Sequence, residues 1–342
     1  MQSAAREVLR CLLEGLQWRA LGERRIHGAG DAGIALARSR LGYDPLQRLH
    51  DELVGPVATP RTRGAWYRQW RTVSLDGSTP DVVAVAANEQ ALGRPAASRG
   101  RSAFPKLRFV ALVEGGTHVL CGTRMGACGE SELSLSRKVA GQLREGMLCL
   151  ADRNFFGCKM RTLAASSGAE LAWRLRKNQV LPCERRLRDG SYPSTVQASQ
   201  RERRQAAGGV PVRVVECRLE GVEGAEPLYR LATRVLDPER APARELAALS
   251  HERWEIETAF DELKTHLRGR RIVLRSKQPD WVRQEFYGLL LAHYAVRKLM
   301  HEAALPADLD PDRLSFLHTV RVVRRKLPIF AATPPSGHPS PD

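Results

Sequence analysis

The segment MLCLADRNFF (147–156) runs five apolar residues without interruption and then meets an acid, Asp152. A strand with no polar alternation has no wet face, so it must sit inside a sheet that is covered on both sides. That requirement selects a layered α/β fold with helices above and below the sheet. The acid has its own significance: reacting groups in such sheets gather at the carboxyl ends of the strands. A second segment, WRTVSLDGSTPDVVAV (70–85), reads as a strand, a turn and another strand, with Asp76 at the end of the first.

The rest of the chain supplies the covering layers. Residues 1–60 read as helical, from REVLRCLLEGL through DAGIALARSRLG to DPLQRLHDELVGP, where Gly-Pro stops the last helix. LRFVALVEGGTHVLCGTRMG (107–126) reads as two strands joined by a Glu-Gly-Gly-Thr turn. GESELSLSRKVAGQLREG (129–146) and GCKMRTLAASSG read as helices around the 147–156 strand, and AELAWRLRK as a further strand. Between about 176 and 240, PVRVVECRLEG and PLYRLATRVL alternate like half-exposed strands among polar loops, which suggests a β-rich insertion. Helix resumes at 243–267, passes a basic segment, RGRRIVLRSK, and returns in DWVRQEFYGLLLAHYAVRKLMHEA. The Pro/Ser-rich residues 331–342 read as a disordered tail.

Charge narrows the partner. Fifty-four Lys and Arg stand against 38 Asp and Glu, a net charge of +16. Such an excess suits a polyanion, and nucleic acid most directly, because bound phosphates release their counterions. The longest apolar run, YGLLLAHYAV (287–296), is too short to span a bilayer, so no membrane role is expected. The first residues lack the apolar core of a signal peptide. Seven cysteines without a C-x-x-C pair read as free thiols in a reducing cytoplasm, where a nucleic-acid partner would place the chain at the nucleoid.

Within the 243–267 helix, a rotation of about 100° per residue puts Arg253, Glu257 and Lys264 within roughly 40° of each other, with Ser250 beside them. Ile256, Phe260, Leu263 and Leu267 form a separate, core-facing stripe. Taken singly, Asp76 and Asp152 fit a turn and a helix cap, and the Arg-Glu-Lys stripe fits ordinary surface pairs. Asp81 is a weaker rival to Asp76, because it starts a strand instead of ending one. Taken together, three carboxylates with no histidine or cysteine ligand set suit Mg²⁺ or Mn²⁺. Two such ions can drive phosphodiester cleavage and transfer.

Arg253-x3-Glu257-x6-Lys264 resembles part of the Y-x2-R-x3-E-x6-K signature of bacterial insertion-sequence transposases of the insertion-sequence-four type. SLDGS, with the following GRPAASRGRSAFPKLRFVALVE, and LADRNFFG resemble the surroundings of that family's two catalytic aspartates. The resemblance runs from about 60 to 325 and departs at one position, where Ser250 stands in place of the tyrosine. It implies a ribonuclease-H-like mixed sheet flanked by helices, with the β-rich insertion at about 176–240 inside a catalytic domain of 67–330, and a helical N-terminal region over 1–66. Asp76, Asp152 and Glu257 would then be the catalytic triad on two Mg²⁺ or Mn²⁺ ions. Arg253, Lys264, Ser250 and Trp254 would contact DNA. The partners implied are the double-stranded ends of the element and its target, with a homodimer in the DNA complex. The competing reading is a truncated or domesticated DNA-binding derivative without full transposition activity.

Overall fold

The structure, a computed structural model, describes residues 30–97, 100–179, 181–183, 185–197, 209–218, 228–253, 255–267 and 273–331. Its centre is a sheet of nine strands among the described residues: β1 (Trp66–Tyr67), β2 (Trp70–Ser78), β3 (Leu107–Glu114), β4 (Leu120–Ala127), β5 (Met147–Ala151), β6 (Glu170–Arg174), β7 (Tyr192–Val196), β8 (Val210–Cys217) and β9 (Tyr229–Thr233). The order across it is β4-β3-β2-β5-β6-β9-β8-β7, with the two-residue β1 also paired to β2. Strands β2, β3 and β4 form an antiparallel meander; β5 and β6 run parallel to β2. Those five strands have the ribonuclease-H-like order, as the sequence resemblance implies.

Both faces are covered. Helices α4 (Glu132–Ala140) and α5 (Cys158–Ser166) lie on one side, over Val73, Leu75, Val110 and Leu112. The other side carries α7 (Glu255–Asp261), α8 (Pro279–Ala304) and α9 (Phe316–Ala331), over Phe109, Ala111 and Val113. On β3 the pleat therefore sends alternate residues to opposite cores. The aromatic rings lock α7 down: Phe260 meets Phe109 edge-on at 5.1 Å between centroids, and Phe286 of α8 lies 5.0 Å from Phe109. A third apolar cluster joins Leu148 and Leu150 of β5 to Leu246 and Leu249 of α6 (Ala243–Glu252).

The insertion continues the central sheet instead of forming its own: β9 pairs antiparallel with β6, and β8 and β7 follow outward. The strand β7 escapes a sequence reading because YPSTV carries a proline and polar residues. Such a strand is tolerated at an edge, and β7 pairs only with β8 among the described residues. Residues 81–85 do not form a hairpin with β2 either. Asp81–Val82 pairs in parallel with Val273–Leu274, and the alanines that follow open α3 (Ala86–Leu92). Upstream, α1 (Asp31–Leu41) and α2 (Asp44–Leu53) are helices as read, whereas residues 1–29 and 332–342 lie outside the described residues.

Candidate active site

Asp76 and Asp152 are brought together by strand register. Leu75 of β2 stands opposite Ala151 of the parallel neighbour β5, so the next residue on each strand, Asp76 and Asp152, are neighbours across a gap of about 4.8 Å. The pleat also aims them alike. Val73 and Leu75 point to the α4–α5 core, so Asp76 points to the opposite face. Ala151 points to the α4–α5 core and Leu150 to the α6 cluster, so Asp152 shares Leu150's side. Asp76 lies two residues before the end of β2, and Asp152 directly follows β5.

The α6–α7 segment crosses that face. It is not the single regular helix that the sequence period suggests. Regular turns end at Arg253, whose carbonyl accepts from the Ile256 N–H at 3.1 Å, a tighter three-residue closure. Farther on, Glu262–His266 forms a wide π turn, in which the Leu267 N–H donates to the Glu262 carbonyl at 2.8 Å. Turns of this kind recur where helices serve functional sites. Despite both irregularities, the two cations of the stripe reach the same strand. The Arg253 guanidinium donates to Asp76 Oδ2 at 3.0 Å, and Lys264 Nζ donates to Ser78 Oγ at 3.1 Å. Ile256, Phe260, Leu263 and Leu267 are all buried, as read. Glu257 is exposed on α7, and Ser250 is half-buried on α6. Trp254 lies outside the described residues.

The electrostatics tie the three acids together. Burial is the largest influence on Asp76 and pushes its carboxyl up; the negative charges of Glu257 and Asp152 push the same way. The Gly77 N–H, donating at 2.8 Å, and Arg253 oppose them without prevailing. Asp152 Oδ1 is buried with no hydrogen-bond partner, and Arg174 Nη1 is 3.9 Å away. Asp76, repelled by both other acids, and Asp152, with its orphaned buried oxygen, are hard oxygen donors of the kind a divalent cation takes, whereas Glu257 is near enough to act on Asp76 but the three do not all lie within 4.8 Å of one another. Asp81 is committed elsewhere: Lys106 Nζ donates to it at 2.6 Å.

Arg174 is the neighbour that sequence reasoning missed. It ends β6, lies next to Asp152 through the β5–β6 register, and stacks 4.2 Å over the Tyr229 ring of β9. Its only sequence signal is its place as the final β6 residue in AELAWRLRK, which has no meaning until β6 is known to lie beside β5.

Residues 72–295 match the transposase DDE domain family. The chain is 28% identical over 316 residues to the transposase InsG for insertion sequence element IS4 of Escherichia coli (strain K12), covering 90% of this chain and 70% of that one. Among solved structures, a piggyBac transposase in a synaptic complex with hairpin DNA aligns with a TM-score of 0.47 at 10% identity, over 76% of this chain. This chain spans 52% of the length of that one. The chain thus belongs to the DDE transposases of the insertion-sequence-four type, a family of metal-dependent enzymes that cleave and join DNA.

Proposed function

We propose that Asp76, Asp152 and Glu257 are the catalytic carboxylates and hold two Mg²⁺ or Mn²⁺ ions, with residues 67–330 as the catalytic domain between a helical region (1–66) and a tail (331–342). The observation that carries this is the β2–β5 register, which seats two acids side by side beneath the helix bearing a third. Ions held by these residues would supply Lewis acidity for phosphodiester cleavage and transfer.

The chain's own side chains hold the DNA. Arg253 spans from α6 to Asp76 and is placed to exchange that carboxylate for a backbone phosphate. Lys264, held by the π turn over Ser78, offers a second phosphate contact. Ser250 offers a hydroxyl on the same side, and Trp254 adds an aromatic ring next to Arg253 in the chain. The net charge of +16 gives these contacts a general attraction to duplex ends and target, and two chains acting on paired ends would form a homodimer at the nucleoid.

The test is nicking of DNA that carries the element's ends, with Mn²⁺, by the wild-type chain and by Asp152→Ala. Cation-dependent nicking that the variant loses supports the proposal; nicking equal to the variant's refutes it. One observation favours a second reading. Ser250 is a whole ring shorter than the tyrosine of the signature and cannot stack, which fits a derivative that binds DNA without completing transposition. Salt-sensitive binding without nicking would select that reading.

A further inference from the structure

Three elements meet beside the catalytic face, and each brings one ligand-type side chain. His118 stands in the β3–β4 turn, Glu255 opens α7, and Asp312 lies in the short turn Pro311–Arg313 between α8 and α9. Their donor atoms all lie within 4.8 Å of one another. The imidazole is 4% exposed, and its Nε2 has no hydrogen-bond partner. That buried atom faces both acids, with Asp312 Oδ1 at 3.4 Å and Glu255 Oε2 at 3.8 Å.

We propose that His118, Glu255 and Asp312 form a second cation site, separate from the catalytic carboxylates, that takes a Zn²⁺ ion.

Three observations carry the assignment. The first is spacing: ligands about 2.1 Å from a tetrahedral Zn²⁺ lie about 3.4 Å from each other, so 3.4 and 3.8 Å require only a small closure. The second is charge: the carboxylates of Glu255, Glu262 and Asp312 outnumber the Arg297 guanidinium and the His118 ring even when that ring is protonated, so the group attracts a further cation. The third is backbone preparation. His118 takes a left-handed φ of 55°, uncommon outside glycine, and the preceding turn is fixed by Gly116, whose N–H donates to Glu255 Oε2 at 3.1 Å. Gly116 itself has φ 67° and no room for a side chain: a Cβ there would meet the Arg63 carbonyl oxygen at 2.3 Å. The donor set distinguishes this site from the catalytic one. One imidazole and two carboxylates suit Zn²⁺, whereas Mg²⁺ prefers an all-oxygen octahedron. The consequence is mechanical, because Glu255 lies two residues before Glu257 on α7. An ion here ties the start of that helix to the β3–β4 turn and to the α8–α9 connection.

The test uses the untagged full chain carrying Asp76→Asn, Asp152→Asn and Glu257→Gln, so that the catalytic acids cannot contribute, and no DNA. Calorimetric titration with Zn²⁺ in excess Mg²⁺ should show one ion per chain, together with a higher Tm. Adding Asp312→Asn should abolish the stoichiometric binding, and adding Glu255→Gln instead should weaken it at least about tenfold. Circular dichroism confirms that each variant is folded before titration. Absence of bound Zn²⁺, or binding that Asp312→Asn leaves unchanged, overturns the proposal. Neither outcome bears on whether the wild-type chain nicks DNA with Mn²⁺.

Discussion

The π turn that carries Lys264 is held from beneath by a buried ion pair, and removing half of that pair should be costly. Glu262 and Arg297 are 4% and 3% exposed. Arg297 Nε donates to Glu262 Oε2 at 2.7 Å, its Nη2 also reaches the same carboxylate, and His293 Nε2 lies 3.2 Å from Oε2. Burial works against the charge of Glu262, but His118, His293 and Arg297 prevail and hold its carboxyl well below the usual range. Replacing Arg297 with methionine keeps the apolar stem and removes the charge, leaving an ionised carboxylate in the core. Breaking a buried pair in this way costs about 3–5 kcal/mol, a large share of a typical stability of about 5–15 kcal/mol. With a urea slope of about 3 kcal/mol/M, a loss of about 4 kcal/mol lowers the midpoint by a little over 1 M. Glu262→Gln alone should destabilise as well, because it removes the nearest negative partner of the buried guanidinium. The double variant Glu262→Gln/Arg297→Met should recover most of the loss, since removing both charges removes the desolvation cost. Urea unfolding of the four proteins measures the coupling. If the double variant loses the sum of the two single losses, the buried pair is not what holds this turn.

Two other outcomes follow from the same structure. Ser250→Tyr restores the residue of the family signature beside Arg253. If that position stacks on a DNA base, affinity for end-bearing DNA should rise by about 1–3 kcal/mol, read by a binding titration at fixed salt. Asp189 joins the insertion to the start of α6: its carboxylate accepts from the Ala243 N–H at 3.0 Å and lies 3.2 Å from Arg213. Burial disfavours its charge, but Ser191, Ala243 and Arg213 outweigh burial and hold its carboxyl below the ordinary value. A depressed pKa contributes stability above the unfolded value of about 3.9, and loses it as pH falls through the lower folded value. Asp189→Asn should therefore lower the Tm near neutral pH, with the gap from wild type closing in acid. A pH-independent gap would contradict the assigned role.

What the sequence revealed depended on whether the controlling interactions were local. MLCLADRNFF announces a strand covered on both faces, because five consecutive apolar residues leave no other solution. The side-by-side placement of Asp76 and Asp152 follows once β2 and β5 are both read as inner strands. The apolar stripe of Ile256, Phe260 and Leu263 was equally legible, since one helical face suffices to encode it. The angular count from Arg253 to Lys264 was not, because it assumes regular turns. The tight closure at Arg253 and the π turn at Glu262 change the count, and Arg297, the buried partner of Glu262, lies 35 residues away. Nothing local marks Glu262 as buried; its packing against Arg297 and His293 does. Arg174 and β7 were missed for the same reason: a strand's neighbours across a sheet leave no local pattern.

As proposed, Asp76, Asp152 and Glu257 act as one cation-binding unit on DNA. The most direct measurement is cation-dependent nicking of end-bearing DNA by Asp76→Asn, Asp152→Asn and Glu257→Gln, each checked for wild-type folding and DNA affinity. Each change alone should reduce nicking to the level of the wild-type chain without divalent cation, while DNA binding persists. Nicking retained by any one of the three folded variants would contradict it.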